Sequence, residues 1–206
     1  MKIGLIPMAA RPYHLGHDGL IRLAAKECDQ VIVFASMSDR VRTGETGISG
    51  AAMTNIWKTQ IEPSLPDNVS VTYGGSPTRN VYEYLISAEE ANSLDTFAVY
   101  GDPTDVTTNF SMANVARYVP NLVNNDHFAQ RPVERASTID ISGTKMRAYL
   151  TNGDKESFIR HLPQTIDGEA VWNALNASKI VKTPKRKGKR SVGESLIHEF
   201  VKMLIS

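Results

Sequence analysis

The sequence predicts an α/β fold: a Rossmann-like, doubly wound parallel sheet of five strands with helices on both faces, followed by a C-terminal helical extension. Three observations predict it. Short runs rich in β-branched residues alternate with segments of helical period from the first residues onward. The first two runs, at residues 3–6 and 31–35, are apolar throughout, as in strands buried on both faces. The spacing between them leaves room for one helix each, which implies right-handed βαβ units.

In chain order, Ile3 to Ile6 is the first strand, with Pro7 at its end. Residues 16–27 read as a helix with Leu20, Leu23, Ala24 and Glu27 on one stripe and Asp18 favouring its N-terminal dipole end. Val31 to Ala35 is a second strand, and residues 36–49 form a long polar, Gly-containing loop of the kind that often carries function. Ser49 caps a helix through Glu62, with Met53, Ile56, Trp57 and Ile61 inward and Pro63 beyond. Val69 to Tyr73 is a third strand, residues 81–91 a helix, and Thr96 to Tyr100 a fourth strand. Thr138 to Ile141 is the fifth expected strand, and Ser142 then caps a helix through Leu150. The expected organisation is a core over residues 1–150, a helical continuation over 151–178, a basic linker over 179–191 and an amphipathic helix over 192–206.

The chain of 206 residues, with 41% hydrophobic and 22% charged residues, has the composition of a globular protein and is long enough to bury its own core. A single cysteine, Cys28, excludes an internal disulfide and fits a reducing, cytoplasmic setting. No apolar run reaches the ~18 residues that would span a bilayer. The apolar opening is broken by Gly4 and Pro7 and runs into Arg11, unlike a secretory leader. The net charge of +1 hides an asymmetry: residues 1–178 hold 15 Lys/Arg against 20 Asp/Glu, while residues 179–190 hold seven Lys/Arg and no acid.

Two segments carry chemistry. In residues 10–17, His14 and His17 stand three apart at the mouth of the first helix with Gly16 between them. Unpaired backbone N–H groups and the positive end of the helix dipole attract an anion there, and the imidazoles add donors. No third ligand at metal-site spacing accompanies them, so the sequence predicts no protein-held metal. In residues 141–147, Ser142 and Thr144 open a later helix, and Arg147 follows Thr144 by one turn, placing a planar fork on the same face.

Together, and in this order, the segments resemble the signatures of the nucleotidyltransferase superfamily with the HIGH motif, whose cytidylyltransferase-like fold is shared with class I aminoacyl-tRNA synthetases. Its first motif reads G-x-F-x-P-x-H-x-G-H, matched here by Pro12, His14, Gly16 and His17. Its second reads I-S-S-T-x-x-R, matched by Ile141, Ser142, Thr144 and Arg147. Met8 and Ala10 stand where the family has Gly and Phe. Gly143 replaces the second Ser, as in members reading S-G-T-x-x-R, some nicotinamide mononucleotide adenylyltransferases among them.

The resemblance implies attack by a phosphomonoester on the α-phosphorus of ATP or CTP, with release of pyrophosphate and with magnesium carried by the triphosphate. His14, His17, Thr144 and Arg147 would be the catalytic residues. Pro7, Met8, Gly16, Gly101, Asp102, Ser142, Gly143 and Lys145 would contact the nucleotide, and Ser36, Arg40 and Arg42 the acceptor's phosphate. A phosphomonoester is a dianion near neutral pH, so no general base is required. Two other readings stay open: a nucleotide sensor without turnover, and a nucleic-acid-binding module using the basic residues 179–190 as an electrostatic arm. The apolar stripe Leu196, Ile197, Phe200, Val201, Leu204 and Ile205 fits docking on the body or a homo-oligomer rather than a membrane.

Overall fold

A computed structural model describes residues 1–134 and 141–180. Five parallel strands, β1 (Lys2–Met8), β2 (Gln30–Ala35), β3 (Val69–Tyr73), β4 (Thr96–Gly101) and β5 (Phe128–Pro132), form one sheet in the order β3-β2-β1-β4-β5. Helices α1 (Leu15–Glu27) and α2 (Gly50–Ile56) make the first two crossovers, and α3 (Pro77–Glu90) carries the chain from the β3 edge back to β4. Alternate strand residues feed two cores. Ile6, Val31, Val33 and Ala98 pack with α1 and α2, whereas Ile3, Leu5, Phe97 and Val99 pack with Val81 and Leu85 of α3. The change of face between α2 and α3 puts a crevice at the carboxyl ends of β1 and β4.

The expected helix from Ser49 forms, with Ser49 Oγ accepting from the Ala52 N–H. It widens into a π-turn over Trp57–Ile61 and ends in a 3-10 turn over Glu62–Ser64, keeping Met53, Ile56, Trp57 and Ile61 buried. The first strand runs on through Pro7. The Met8 carbonyl accepts from Ser36 N at 3.1 Å, so Met8 faces β2 and Pro7, by the pleat, faces β4. The β1–β4 register has stopped at Leu5 and Val99, so the missing N–H breaks no ladder bond.

Three expectations change. The fifth strand is Phe128–Pro132. It is an edge strand in which only Phe128 is buried, so it lacks the apolar run that betrays its neighbours. The expected strand Thr138 to Ile141 lies outside the described residues except for Ile141, which precedes α7 (Gly143–Asn152). Between β4 and β5, where the sequence reading assigns no element, lie α4 (Pro103–Asn109), α5 (Met112–Ala116) and α6 (Pro120–Asn124). Asp102 and Ser111 cap the first two of these, and Pro103 and Pro120 open the first and third. In α1 the buried stripe is Asp18, Ile21 and Ala24, which turns Leu20 and Leu23 toward the crevice.

Beyond α7, α8 (Lys155–Arg160) and α9 (Gly168–Ala177) complete the helical continuation, with Phe158, Val171 and Leu175 in the α1–α2 core. The linker beyond Ile180 and the amphipathic stripe of 192–206 lie outside the described residues.

Candidate functional site

The crevice is a cavity of about 690 Å³. Pro7 and Met8 come to it from β1, Gly101 and Asp102 from the end of β4, His14, Gly16 and His17 from the start of α1, and Ile141 and Gly143 from the start of α7. Leu20, Leu23, Val106 and Phe110 give it an apolar wall, with Asp105 and Asn109 at one side. Two sequence segments 127 residues apart, at Gly16 and Gly143, therefore meet at one cavity. The topology does this: β1 is central, and β4 adjoins it where the two crossover directions diverge.

His14 is the N-cap of α1. Its Nδ1 accepts from the Gly16 N–H at 3.1 Å, so in the neutral ring the proton sits on Nε2. Its ring stacks on His17 with centroids 3.8 Å apart, and His17 stacks in turn on Tyr13 at 5.8 Å. The sequence reading expects free backbone N–H groups here, and the structure corrects this. Leu15 N donates to the His161 carbonyl, Gly16 N to His14 Nδ1, and the N–H groups of His17 and Asp18 to the His14 carbonyl. The cap consumes the backbone donors that an anion would use.

Asp18 does more than favour the dipole. It is a buried carboxylate that accepts from the Tyr13 hydroxyl at 3.2 Å and from Arg22 Nε at 2.8 Å, while Arg22 Nη2 reaches the Ser64 carbonyl. Burial, with the Asp18 charge beside it, pushes the Tyr13 phenol well above its ordinary range. Trp57 meets the same Tyr13 ring edge-on at 5.1 Å. This lock sets the rotation of α1, and with it the direction of the histidine pair.

At α7, Ser142 Oγ accepts from Lys145 N, as a cap should. The N–H groups of Gly143 and Thr144 have no acceptor among the described residues, so the free donor pair belongs to α7. Ser142, Thr144, Lys145 and Arg147 are not among the described cavity walls; Gly143 stands in front of Arg147. A Cβ on Gly143 would come within 2.9 Å of Arg147 Nη1 and would press on that guanidinium. Arg147, 5% exposed, donates from Nη2 to Thr144 Oγ1 at 2.9 Å, from Nη1 to the Arg11 carbonyl at 3.0 Å and from Nε to Glu45 at 2.7 Å. Three of its five N–H donors are thus engaged within the protein and two remain.

Ser36, Arg40 and Arg42 also stand outside the described cavity walls. Ser36 is buried and pairs with Ser38 at 3.0 Å, and Arg40 Nε lies 3.6 Å from the same Glu45 oxygen that binds Arg147. Arg11, which the sequence reading passed over, donates to the Ser38 carbonyl and, at 2.8 Å, to Ser38 Oγ. Burial and the neighbouring Arg147 and Arg42 charges lower the Arg11 and Arg40 guanidinium pKa values. For Glu45, burial acts upward, but the Arg147 hydrogen bond and the Arg147, Arg40 and Arg42 charges outweigh it and hold the carboxyl below its ordinary value. A motif search cannot find Arg11 or Glu45, because neither belongs to a pattern and each meets Arg147 only through the fold.

Asp102 caps α4, its Oδ1 accepting from Thr104 N at 3.1 Å. Among the described residues no group of three or more His, Cys, Asp or Glu side chains converges as a metal cage, and no helix is long and apolar enough to cross a membrane.

No family model matches the sequence, and no curated protein is similar to it. Among solved structures, Thermotoga maritima TmcAL bound with alpha-thio ATP is similar over 84% of this chain and 55% of its own, at 11% identity and a TM-score of 0.48. A bifunctional NMN adenylyltransferase/ADP ribose pyrophosphatase from Francisella tularensis, complexed with AMP and Mn ion, is similar over 100% of this chain and 56% of its own, at 12% identity and a TM-score of 0.49. A second structure of the same enzyme is similar over 99% of this chain and 56% of its own, at 11% identity and a TM-score of 0.49. This chain spans a little over half the length of each, and its own strand order and register define the fold.

Proposed function

We propose that the chain is a nucleotidyltransferase that moves a nucleoside monophosphate from ATP or CTP to a phosphorylated small molecule. The observation that carries this reading is that His14, Gly16 and His17 from the start of α1 and Gly143 from the start of α7 border one cavity at the switch point of the sheet. The resemblance of the two segments to the HIGH-motif superfamily supports the same reading.

An oxygen of the acceptor's phosphate attacks the α-phosphorus, the bond from that phosphorus to the bridging oxygen of the β-phosphate breaks, and pyrophosphate leaves. The acceptor is already a dianion near neutral pH, so the protein's task is alignment and charge neutralisation. His14 and His17 donate to oxygens around the α-phosphorus. The Gly143 and Thr144 N–H groups, with the spare donors of Arg147, hold the departing pyrophosphate, and Lys145 lies one residue further along. Pro7, Met8, Gly16, Gly101 and Asp102 border the nucleotide. Ser36, Arg40 and Arg42 hold the acceptor's phosphate. Magnesium enters as part of the triphosphate substrate, which needs no dedicated protein cage.

A second reading, nucleotide sensing without turnover, draws on one feature: Thr144 and Arg147 stand behind Gly143 instead of on the described cavity wall. One experiment separates the two. ATP and CTP are crossed against a panel of phosphomonoesters with magnesium, and pyrophosphate is assayed. The transferase reading expects release that requires an acceptor. Triphosphate binding without release under every pairing would favour the sensor.

A further inference from the structure

Four arginines gather behind Gly143, and one carboxylate sits among them. Glu45 Oε2 accepts from Arg147 Nε at 2.7 Å and lies 3.6 Å from Arg40 Nε. Arg11 joins through its carbonyl, which takes Arg147 Nη1 at 3.0 Å, and Arg42 adds its charge to the field at Arg11, Arg40 and Glu45. The second acid of the loop, Asp39, has one oxygen committed to the Gly50 N–H at 2.8 Å. The group is therefore in cationic excess. The Nε atoms of Arg11 and Arg40 are moreover buried without a hydrogen-bond acceptor among the described residues. Buried donors left unmade are costly, and an anion seated beside them would satisfy both.

The loop around Glu45 is held on both sides. Arg40 and Ile48 form an antiparallel bridge, Thr46 N donates to Thr151 Oγ1 at 2.9 Å, and Gly47 bridges Ile180. The Glu45 side chain is the more exposed partner of its ion pair with Arg147. It is 23% exposed against 6% for Arg147, so the carboxylate can rotate into water while the guanidinium stays. A phosphate carries more charge and more acceptor oxygens than a carboxylate and suits the planar fork better.

We propose that Glu45 is a resident counter-anion: its carboxylate occupies, on Arg147 and Arg40, the place that a substrate phosphate takes, and phosphate binding expels it. This rests on the nucleotidyltransferase reading for the identity of the phosphate but not for the exchange itself. The site is thereby kept shut to weak anions and opens to polyanions.

Calorimetric titration of the full chain and of Glu45→Gln tests it. Inorganic pyrophosphate stands in for the triphosphate tail and ribose 5-phosphate for the acceptor. Removing the competing charge should tighten one of them by about tenfold, and which one tightens tells whose phosphate uses the site. If Glu45→Gln is too unstable to titrate, its melting temperature in rising sulfate reports the same exchange, and the shift should exceed that of the parent chain. Equal or weaker binding by Glu45→Gln, or equal sulfate shifts, overturns the counter-anion proposal and leaves the transferase reading standing. Binding of neither probe to either chain overturns both.

Discussion

The guanidinium of Arg147 and the carboxylate of Glu45 meet at 2.7 Å, tying the first turns of α7 to the loop between β2 and α2. A residue of the second sequence motif is thus also a structural tie, and its substitution acts on two levels. Arg147→Met should lower stability by about 2 kcal/mol, since it removes a buried guanidinium that three hydrogen bonds hold. Arg147→Lys should keep more of that stability but still slow turnover, because a point charge cannot serve Thr144, Arg11 and Glu45 together. Urea unfolding and steady-state kinetics with the triphosphate varied separate the two effects. A turnover defect in Lys as small as its stability defect would confine Arg147 to structure.

Gly143 is predicted to be sensitive in proportion to Arg147. A methyl group there must move a guanidinium that three hydrogen bonds hold. Gly143→Ala should cost about 1–2 kcal/mol. In the Arg147→Met background the same substitution should be nearly free. A double-mutant cycle by thermal unfolding gives the answer, and additivity of the two changes would refute the packing account.

The two histidines should divide their labour. His14→Ala removes the cap on Gly16 and should cost about 1 kcal/mol of stability. His17→Ala should cost less stability yet reduce turnover by about 10²–10³-fold, as loss of a charge-stabilising donor does. Pyrophosphate release by the folded His17→Ala chain at the parent rate would remove His17 from the mechanism.

The Tyr13 hydroxyl is predicted to matter through Asp18. Tyr13→Phe keeps the ring stack on His17 and deletes one of the partners of a buried carboxylate, which should cost about 1–2 kcal/mol. Denaturant titration checks the magnitude. An unchanged midpoint would show that Arg22 alone suffices for Asp18.

Glu27 supplies a pH prediction. Hydrogen bonds from Arg131 and from the Tyr100 hydroxyl hold its carboxyl below the ordinary value of 4.5. A folded-state pKa below the unfolded one means stabilisation that is complete above the unfolded value and fades as pH falls through the folded value. Unfolding free energies measured on descending pH below 4.5 should therefore fall less steeply for Glu27→Gln than for the parent chain. Parallel curves would show that the network does not stabilise the fold.

By itself the sequence determined four of the five strands of the sheet and the places of both motifs. Ile3, Val31 and Thr96 open apolar runs that two-sided burial demands, Val69 opens an alternating run suited to an edge, and His14 and Ser142 are caps that local chemistry dictates. The remainder depended on distance in space. The edge strand Phe128–Pro132 owes its form to β4 rather than to its own residues, so its polar sequence hides it. The rotation of α1, which sends Leu20 and Leu23 to the cavity, is set by Tyr13, Arg22 and Ser64 around Asp18. Whether the N–H groups at the α1 mouth are free was decided by the His14 ring and the His161 carbonyl. And Arg147 finds Glu45 across 102 residues of chain, a meeting that no local propensity encodes, because ion pairs of that separation exist only once the sheet has brought two loops together.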